Sequence, residues 1–554
     1  MQIESINAAV VQAVRTYEFN IHTGEGAWRL LGKEAFLNEW DALYETCPWA
    51  TVFQSRPFVT AWYHTYREVC FPVLLTQYEG GRLTGLLTLT RKQKGLLTGA
   101  GESQAEYQVW LATEAASDAF IKKALFEIDK HWPGVKTIIK YIPGNTPMKW
   151  LGEEGALSRR CVLNEVQQPL LKIDTAHLEK ELKKKNRKEK LNRLKRIGDT
   201  KLERITDAAV FASILDELAL QYDFRKLVMH NRVFFLDDPL RKKFLLSLFE
   251  QGLLHTTVLK VNEEIIASNV GATGKGWVHL QGVNTHAPTH AKYSPGILHF
   301  LLMGKLMAEE GIAIFDLTPG SEPYKDQLAT DYTLAYVLHI GSPLSRVMKR
   351  INRVLVEQVK KVAQGKRSKP GVLLENKKRV SRMKDKIKHL LKQPPSFYLK
   401  NAVGAIRKKP LERQYVVDVD RLVLTANGVS IQRNSIRDLL YYETKGAEKT
   451  RWEFLEEAML RFEAGQVLYS FSKDGRLLCS VWLKEQQGTT SPVLQGFYCP
   501  QAGQSWLPSF LQAVIQTIAL QFQTSRLYAQ TQDSMIGKAL EVVGFKETDG
   551  MELS

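Results

Sequence analysis

The 554-residue chain has few cysteines, no paired cysteine motif and no long apolar run. Its five cysteines are widely spaced without a CxxC pair, so the sequence predicts neither a disulfide framework nor a zinc site. No stretch is long and apolar enough to suggest a membrane span. The start, MQIESINAAV, lacks the basic and apolar regions of a secretory signal. These absences favour a cytoplasmic location with reduced thiols.

Positive charge is concentrated in one segment. The formal net charge is +17, and between Ser345 and Pro410 there are 21 lysines and arginines against three acidic residues. This segment therefore carries the net charge, and the remainder of the chain is almost neutral. Its first part has apolar residues at helical spacing among the basic ones, which predicts a basic amphipathic helix. Those apolar residues are Leu344, Met348, Ile351, Leu355, Val359 and Val362.

Such a helix can bind an anionic surface, and we expect peripheral attachment to the inner membrane face as one possible role of 345–410. Docking of the apolar stripe on a neighbouring domain is the alternative. The length of the chain is typical of two to four domains.

A similar order of elements recurs three times: helices, a hairpin, a strand, a polar loop, a helix and a strand. This repetition predicts an α/β (α+β) protein of repeated domains, with mixed, mostly antiparallel sheets flanked by helices. We place the first domain at 1–175, the second at 176–344 and a basic helical linker at 345–412. A third domain, 413–554, completes the chain.

The most informative block is the stretch 281–325. Ser294 and Pro295 favour the start of a helix, as an N-cap and a first helical residue. Gly311 is expected to end that helix, and the run IAIFDL predicts a buried strand with Asp316 near its end. A helix start binds anions through its free N–H groups. The block therefore predicts an anion site beside a carboxylate that can act as a base.

An ordered set of short motifs extends over about residues 35 to 345. It comprises Phe53-Gln54-Ser55, Gly85, Leu89, Tyr107, a basic helix ending at Gly198, Ile266-Ala267-Ser268, Ser294-Pro295-Gly296, Gly311, Phe315-Asp316-Leu317, Gly320 and Tyr324-Lys325. The set resembles GNAT-fold acetyltransferases linked to cellulose and exopolysaccharide biosynthesis (CelD-like), a tandem-domain branch related to FemAB. The match is imperfect, because Asn284 stands where that family usually has an acid.

The resemblance implies transfer of an acyl group from acyl-CoA, most simply acetyl-CoA, to an amino sugar, an amino acid or a polysaccharide precursor. Acyl-CoA is then a co-substrate, and no permanently bound cofactor is expected. The implied catalytic residues are Asp316, Tyr324 and Lys325. The implied donor-binding residues are Gln281, Ser294 and Gly296. The implied acceptor-binding residues are Gln54, Ser55, Tyr107 and Asn284.

Each assignment has a plain structural alternative. Asp316 can be a buried carboxylate that pairs with Lys325, and the start of the helix can be an ordinary capped terminus. His286 and His290 lie four residues apart, but Pro288 separates them and no third ligand is evident. We therefore predict no metal site.

Two other functions compete with acyl-CoA-dependent transfer. One is aminoacyl-tRNA-dependent transfer, as in FemAB relatives, with the basic helix at Lys183–Lys195 contacting RNA phosphates. That helix lacks the interleaved aromatic residues of a base-stacking surface. The other is a non-catalytic scaffold at a membrane or in an assembly. The loop Cys499–Trp506 has a single glycine and no basic residue, which predicts that the third domain is a degenerate copy.

Overall fold

Two mixed β-sheets organise the chain, one shared by the first and second domains and one in the third. The structure, a computed structural model, describes residues 17–92, 95–152, 160–320, 322–341, 382–394, 412–422, 428–485, 492–522 and 524–548. The predicted fold class is confirmed, since both sheets are mostly antiparallel and flanked by helices. Among these described ranges, no helix combines the length and apolar character needed to cross a bilayer.

The described residues up to 341 supply thirteen strands and eleven α-helices. The strands are β1 (Tyr17–Thr23), β2 (Pro72–Glu79), β3 (Arg82–Lys92), β4 (Leu96–Gly99), β5 (Leu111–Ala112), β6 (Lys136–Pro143), β7 (Cys161–Lys172), β8 (Thr200–Ile205), β9 (Leu254–Val261), β10 (Glu264–Gly274), β11 (Trp277–His286), β12 (Ile314–Asp316) and β13 (Asp331–Ile340). The helices are α1 (Glu25–Leu31), α2 (Glu34–Thr46), α3 (Arg56–Thr65), α4 (Ser117–His131), α5 (Thr175–Lys183), α6 (Lys185–Ile197), α7 (Ala208–His230), α8 (Phe234–Asp237), α9 (Leu240–Glu250), α10 (Pro295–Glu309) and α11 (Pro323–Leu328).

The remainder of the described chain forms one linker helix and the third domain. Its helices are α12 (382–391), α13 (Ile436–Leu440), α14 (Arg451–Glu463), α15 (Leu507–Phe522) and α16 (Ser534–Val542). Its strands are β14 (Arg413–Asp418), β15 (Gln432–Arg433), β16 (Val467–Lys473), β17 (Arg476–Lys484), β18 (Val493–Tyr498), β19 (Arg526–Thr531) and β20 (Lys546–Thr548).

The first two domains exchange strands across their common sheet. Its order is β1-β2-β3-β4-β6-β13-β7-β12-β11-β10-β9-β8, with β5 on β3. Strand β13, from the end of the second domain, lies between β6 and β7, while β7 lies between β13 and β12. The only parallel pairs of the described sheet, β4 with β6 and β11 with β12, occupy equivalent places on the two sides. The predicted boundary at residue 175 divides the chain, but strands from both sides of this boundary pair within one sheet.

The turn between β10 and β11 fastens the second domain to the first. Lys275 donates to the carbonyl oxygens of Tyr44 at 2.6 Å and Cys47 at 3.3 Å. Gly274 packs so closely on Val52 that an added Cβ would lie 3.0 Å from its side chain. These contacts bring β11 and β12 against residues of the first domain.

The basic segment predicted as one helix is divided into α5 and α6. Lys184, between them, has an extended ψ of 133°. The buried Glu181 pairs with Lys184 and Arg187 across this break. Satisfying a buried carboxylate with both cations outweighs the helix propensity of the basic run, because an unpaired buried charge is costly. The expectation of a single helix was wrong.

The third domain packs on α7. Phe224 and Leu227 of α7 share one apolar cluster with Leu439, Leu455 and other residues of the third domain. Helix α12 is fastened to α14 by an ion pair of Lys386 with Glu453 at 2.7 Å. The amphipathic helix predicted over 344–362 lies outside the described residues, as does most of the segment 345–410.

Candidate active site

Strands β11 and β12 separate after three residue pairs. They run parallel from Trp277 and Ile314 to His279 and Asp316, where β12 ends while β11 continues along β10. A shift in register against β10 marks a bulge at Leu280 and Gln281. Beyond the bulge, β11 has no strand partner on its β12 side within the described sheet. Its backbone groups there are available to a ligand, and bulges commonly re-aim strands beside active sites.

Helix α10 begins beside this gap without a side-chain cap. Ser294 has a left-handed backbone (φ 53°), and its hydroxyl accepts a hydrogen bond from Lys190 Nζ at 2.7 Å. The expected capping bond from Ser294 to the helix is therefore absent, because this backbone conformation directs the side chain to α6. An added Cβ at Gly296 would meet only His286 Nδ1, at 3.7 Å. Pro295 has no N–H, and the N–H of Ile297 donates to the carbonyl oxygen of Ser294 at 3.2 Å. Among the described residues, the N–H of Gly296 is therefore the free donor of this helix start, with room beside it for an anion.

His286 lies against this helix start as a neutral ring. Burial lowers its pKa to about 3, and the charge of Arg225 lowers it further in the same direction. A neutral imidazole neither attracts nor repels an anion strongly, so Lys190 is the nearby cation at this end of α10. The predicted donor residue Gln281 lies within the β11 bulge, and its side chain is outside the described part of the structure.

Asp316 lies at the point where the two strands diverge. Its side chain is fully buried, and its Oδ2 accepts a hydrogen bond from His279 Nδ1 at 2.7 Å. Its Oδ1 accepts from the backbone N–H of Thr318 at 2.8 Å. Since an ionised carboxylate only accepts hydrogen bonds, His279 carries its proton on Nδ1. Both oxygens are therefore occupied, so the arrangement suits a group that orients His279 better than a base that acts directly.

Lys325 holds the loop that follows β12. Its ammonium is almost completely buried and donates to the carbonyl oxygens of Thr318 at 3.1 Å and Pro319 at 3.4 Å. It also pairs with Glu322 at 3.1 Å. Burial acts to raise the pKa of Glu322, but the charge and hydrogen bond of Lys325, a backbone hydrogen bond and the charge of Lys226 together lower it. These contacts occupy the ammonium of Lys325 and explain its burial, and its catalytic role stays a prediction.

Tyr324 and Asn284 line the gap together with Arg225. Tyr324 is half-buried against Phe300, with ring centroids 6.1 Å apart, and burial raises the pKa of its hydroxyl. Arg225, from α7, donates to the carbonyl and the side-chain oxygen of Asn284, each at 3.3 Å. Asn284, which stands on β11 in the position of the family acid, therefore accepts hydrogen bonds from a cation on α7.

The first domain contributes an aromatic wall. The ring of Tyr107 lies 5.5 Å from the ring of His279, and Phe53 lies 5.2 Å from it. Burial and the neighbouring Asp316 carboxylate raise the pKa of Tyr107. Gln54 donates to the carbonyl oxygen of Tyr107 at 2.8 Å and so fixes this segment.

The side chains of Gln54 and Ser55 form hydrogen bonds within the protein. The side-chain oxygen of Gln54 accepts from the backbone and hydroxyl of Thr51. Ser55 caps α3 through the N–H of Phe58 and donates to the carbonyl oxygen of Val52 at 2.7 Å. These contacts support the plain capping interpretation, and binding of an acceptor by either side chain stays a prediction.

Sequence reasoning missed several charged groups that converge here. Lys226 follows Arg225 on α7, and burial together with Arg225 lowers its pKa to about 8, against the opposing effect of Glu322. Glu106, beside Tyr107, is buried with only 9% exposure. Two adjacent cations, Arg225 and Lys226, between the apolar residues Phe224 and Leu227 were a usable signal. Glu106 gave none, because the loop GESQAEYQ is polar throughout.

The equivalent gap in the first domain is closed by Gln108. Strands β4 and β6 are parallel only as far as Thr98 and Ile138. The side-chain oxygen of Gln108 accepts from the N–H groups of Gly99 and Lys140, both at 3.2 Å, and its backbone N–H donates to Lys140 at 2.9 Å. An added Cβ at Gly99 would lie only 2.7 Å from Gln108. This side chain occupies the place that a donor would need.

The third domain has a similar closure. Its parallel pair, β18 with β19, spans two residue pairs. Gly503, the single glycine of the following loop, packs against β17, where an added Cβ would lie 2.0 Å from the carbonyl oxygen of Leu478. This glycine serves close packing, and the degeneracy of the third domain stays a prediction. Within the described ranges, only the second domain combines the strand separation with a helix start that has room for a ligand.

The described residues contain no group of three or more His, Cys, Asp or Glu side chains arranged to hold a metal ion. His286 and His290 belong to β11 and to the loop after it, respectively, and neither is joined by a third ligand in these ranges.

Comparison with known proteins identifies the class of the protein as an acyltransferase. Residues 182–326 match the family described as an acetyltransferase (GNAT) domain. The chain is therefore an acyltransferase with a GNAT domain in its second part. A comparison with curated proteins found no match. The family match does not identify the CelD-like branch, so membership of that branch stays a prediction.

Several solved structures are distantly similar. The C-terminal domain of a putative lysylphosphatidylglycerol synthetase from Agrobacterium fabrum has 10% identity and a TM-score of 0.38, over 58% of this chain and 95% of that chain. FemX has 11% identity and a TM-score of 0.40, over 56% and 97%. A tandem GNAT protein from the clavulanic acid biosynthesis pathway has 11% identity and a TM-score of 0.34, over 58% and 98%. Likeness at this level carries no argument about function.

Proposed function

We propose that the chain is an acyl-CoA-dependent N- or O-acyltransferase that acts on an amino sugar, an amino acid or a polysaccharide precursor. Acyl-CoA, most simply acetyl-CoA, is the co-substrate. The observation that carries the proposal is the separation of β11 from β12 at His279 and Asp316, beside the uncapped start of α10. The separated strand and the helix start together supply the N–H groups that an acyl-CoA needs.

Each part of the donor has a chemically suitable partner. The N–H of Gly296 at the start of α10, with Lys190 beside it, suits the pyrophosphate. The unpaired edge of β11 suits the amides of the donor arm. Backbone N–H groups near the bulge suit the thioester oxygen, on which negative charge develops during acyl transfer. The acceptor then enters from the side of the first domain, where Tyr107 and the charged residues of α7 lie.

Asp316 acts in this proposal through His279. Its carboxylate fixes the ring by the bond to Nδ1, so the imidazole is held in one tautomer and orientation. His279 lies against Tyr107 and Phe53 at the boundary between the two domains. The pair of His279 and Asp316 therefore fixes the end of β12 relative to Tyr107 and Phe53, which face the acceptor.

Calorimetry separates this function from its alternatives. Acetyl-CoA, a long-chain acyl-CoA and charged tRNA are titrated into the full chain and into Gly296→Val. The variant should bind acetyl-CoA at least about tenfold more weakly, because a β-branched side chain would crowd the helix start and obstruct donor phosphates. Gly26→Val is the matched control, since Gly26 also lies in the first turn of a helix and an added Cβ meets nothing within 4 Å.

Each result points to one function. Acetyl-CoA binding that weakens in Gly296→Val but not in Gly26→Val supports the proposal. Binding of charged tRNA without binding of either acyl-CoA would favour aminoacyl-tRNA-dependent transfer. Failure to bind any of the three donors would leave the non-catalytic scaffold.

A further inference from the structure

Two of the five cysteines, Cys479 and Cys499, are neighbours in the third domain although they are distant in the chain. Cys479 is on β17, and Cys499 directly follows β18. Ser480 and Tyr498 are paired in register on these antiparallel strands. Cys479 and Cys499 are the next residues on the same side of that pair, so the register places them opposite each other.

Distances to Gly503 locate both sulfur atoms. Sγ of Cys479 lies 3.7 Å from the carbonyl oxygen of Gly503, and a Cβ added at Gly503 would lie 3.3 Å from Sγ of Cys499. Both sulfurs therefore border the same residue. Opposite residues of an antiparallel pair have Cα atoms about 4.5–5.5 Å apart, within the span of about 4.4–6.8 Å that a disulfide bridges. The backbone can therefore accept a bond between these side chains without a rearrangement of the strands.

The two thiols differ in exposure and in proton affinity. Cys479 is fully buried, whereas Cys499 is partly exposed. A hydrogen bond between them lowers the pKa of the Cys499 thiol and raises the pKa of the Cys479 thiol. Burial and the charge of Asp533 act in the opposite direction on Cys499 but do not reverse the shift. Because the thiolate is the reactive form, Cys499 is the accessible nucleophile and Cys479 is the thiol beside it.

Two plainer roles for neighbouring thiols fit this arrangement less well. Structural metal sites normally use four ligands, and the described residues contain no group of three or more His, Cys, Asp or Glu side chains placed to hold a metal ion. Packing alone would suit two buried thiols better than a buried thiol beside a partly exposed one. An accessible thiol with a second thiol next to it is the arrangement of a cysteine pair that responds to oxidants.

We propose that Cys479 and Cys499 are a modification site, which a hydroperoxide oxidises to a reversible disulfide that stabilises the third domain. The oxidant is hydrogen peroxide or a small organic hydroperoxide. The bond links β17 to the start of the loop 499–506. Leu477 and Trp482, also on β17, belong to the apolar cluster shared with α7, so the bond fixes a strand through which the third domain packs on the second. This modification is separate from acyl transfer, and its test requires no acyl donor.

The oxidation balances with the hydroperoxide, ROOH, as the only oxidant. The thiolate of Cys499 attacks the terminal oxygen of ROOH, the S–O bond forms as the O–O bond breaks, and the alkoxide leaves and takes the proton that Cys499 had released. Sγ of Cys479 then attacks Sγ of the sulfenic acid at Cys499. The S–S bond forms as the S–O bond breaks, and hydroxide leaves with the proton of Cys479 as water. The two sulfurs together lose two electrons, which reduce ROOH to ROH and water.

Peroxide treatment of the full chain tests the site directly. The protein is reduced, freed of reductant, treated with hydrogen peroxide and digested without reduction, and mass spectrometry then identifies linked peptides. We expect one linkage, between Cys479 and Cys499. Thiol titration in denaturant should show a loss of two thiols per chain from the five that the sequence contains. Dithiothreitol should restore all five.

Three variants assign the roles of the two sulfurs. Cys499→Ser should form no linkage at Cys479. Cys479→Ala should stop at a sulfenic acid on Cys499, which dimedone traps. Cys70→Ser is the matched control, because Cys70 is also partly exposed but burial raises the pKa of its thiol to about 11. This control should form the disulfide at the same rate as the wild type.

Thermal unfolding measures the stabilising effect of the bond. Oxidation should raise the Tm of the transition in which the third domain unfolds by at least about 4 °C, because the bond constrains a loop of about twenty residues in the unfolded chain. Cys499→Ser should show no such rise under the same treatment. Because Cys499 is partly exposed, this comparison does not depend on replacing the buried Cys479.

Several results would contradict the proposal. A disulfide between other cysteines or between two chains would show that the two sulfurs do not form this bond, as would five thiols that resist hydrogen peroxide. Oxidation of Cys499 to a sulfinic acid in the wild type, without linkage, would mean that Cys479 does not reach it. An unchanged Tm after complete linkage would overturn the stabilising role of the bond.

Discussion

Replacing Lys226 by methionine should stabilise the fold while it damages the active site. The ammonium of Lys226 is half-buried on α7, 5.2 Å from the ring of Tyr222. Burial and the charge of Arg225 lower its pKa from 10.5 to about 8, although Glu322 opposes this effect. The folded protein therefore holds this proton less tightly than the unfolded chain does.

The lowered pKa of Lys226 sets both the size of the expected stabilisation and the pH range in which it appears. Each tenfold loss of proton affinity corresponds to about 1.4 kcal/mol, so the charged lysine costs the fold at most about 3 kcal/mol. Partial exposure of the side chain reduces this to about 1–2 kcal/mol. The cost is fully present below pH 8 and fades as the pH rises towards 10.5, where the unfolded chain also loses the proton.

Urea unfolding followed by tryptophan fluorescence measures this difference. Lys226→Met should raise the unfolding free energy by about 1–2 kcal/mol at pH 7, and the gain should shrink to about a quarter at pH 10. Lys243→Met, at an exposed position on α9, is the control and should change little at either pH. Acyl transfer should fall in the Lys226 variant, because the cation lies with Arg225 at the acceptor side.

Two results would refute the reasoning. Absence of any stabilisation at pH 7 would mean that the ammonium is well solvated in the folded protein. A gain of equal size at pH 7 and pH 10 would mean that methionine stabilises by packing alone and that the charge of Lys226 carries no cost. Either result would also remove the argument that this position is kept charged for function.

Further predictions concern the buried carboxylate and the number of donor sites. Asp316→Asn should cost about 2–3 kcal/mol of stability through the bond to His279 and lower acyl transfer by about 10²- to 10⁴-fold, whereas Asp326→Asn, exposed on α11, should do neither. Urea unfolding and a transfer assay check both, and near wild-type turnover would exclude Asp316 from the mechanism. Calorimetry should find about one acetyl-CoA per chain, because Gln108 and Gly503 close the other two domains. Binding of two or three donors would contradict that closure.

Local signals in the sequence were sufficient for most individual elements. The turn at Asp474 and Gly475 follows a short-range rule, because both residues have the positive φ that such a hairpin needs. The start of α10 at Pro295 and the strand ending at Asp316 were also expected. These features depend on the conformational preferences of a few neighbouring residues, so they can be read without knowing the rest of the chain.

The site depended on contacts between residues far apart in the chain. Asp316 was identified as a carboxylate in an apolar strand, but its partner His279 lies on another strand, 37 positions earlier in the chain. Glu106 and Lys226 belong to different domains, and each is affected by the charges of Glu322 and Lys325, which follow β12 in the chain. Burial and neighbouring charges, which set their proton affinities, have no signature in a local pattern.

By itself, the sequence determined the repeated helix and strand order, the basic segment and the helix start at Pro295. Only the tertiary structure decided that β7 and β13 exchange places between two domains, that the basic run divides at Lys184 and that Gln108 closes the first donor gap. The physical reason is that periodicity specifies which face of a strand or helix is buried. The partner of each face is chosen by packing and pairing between distant parts of the chain.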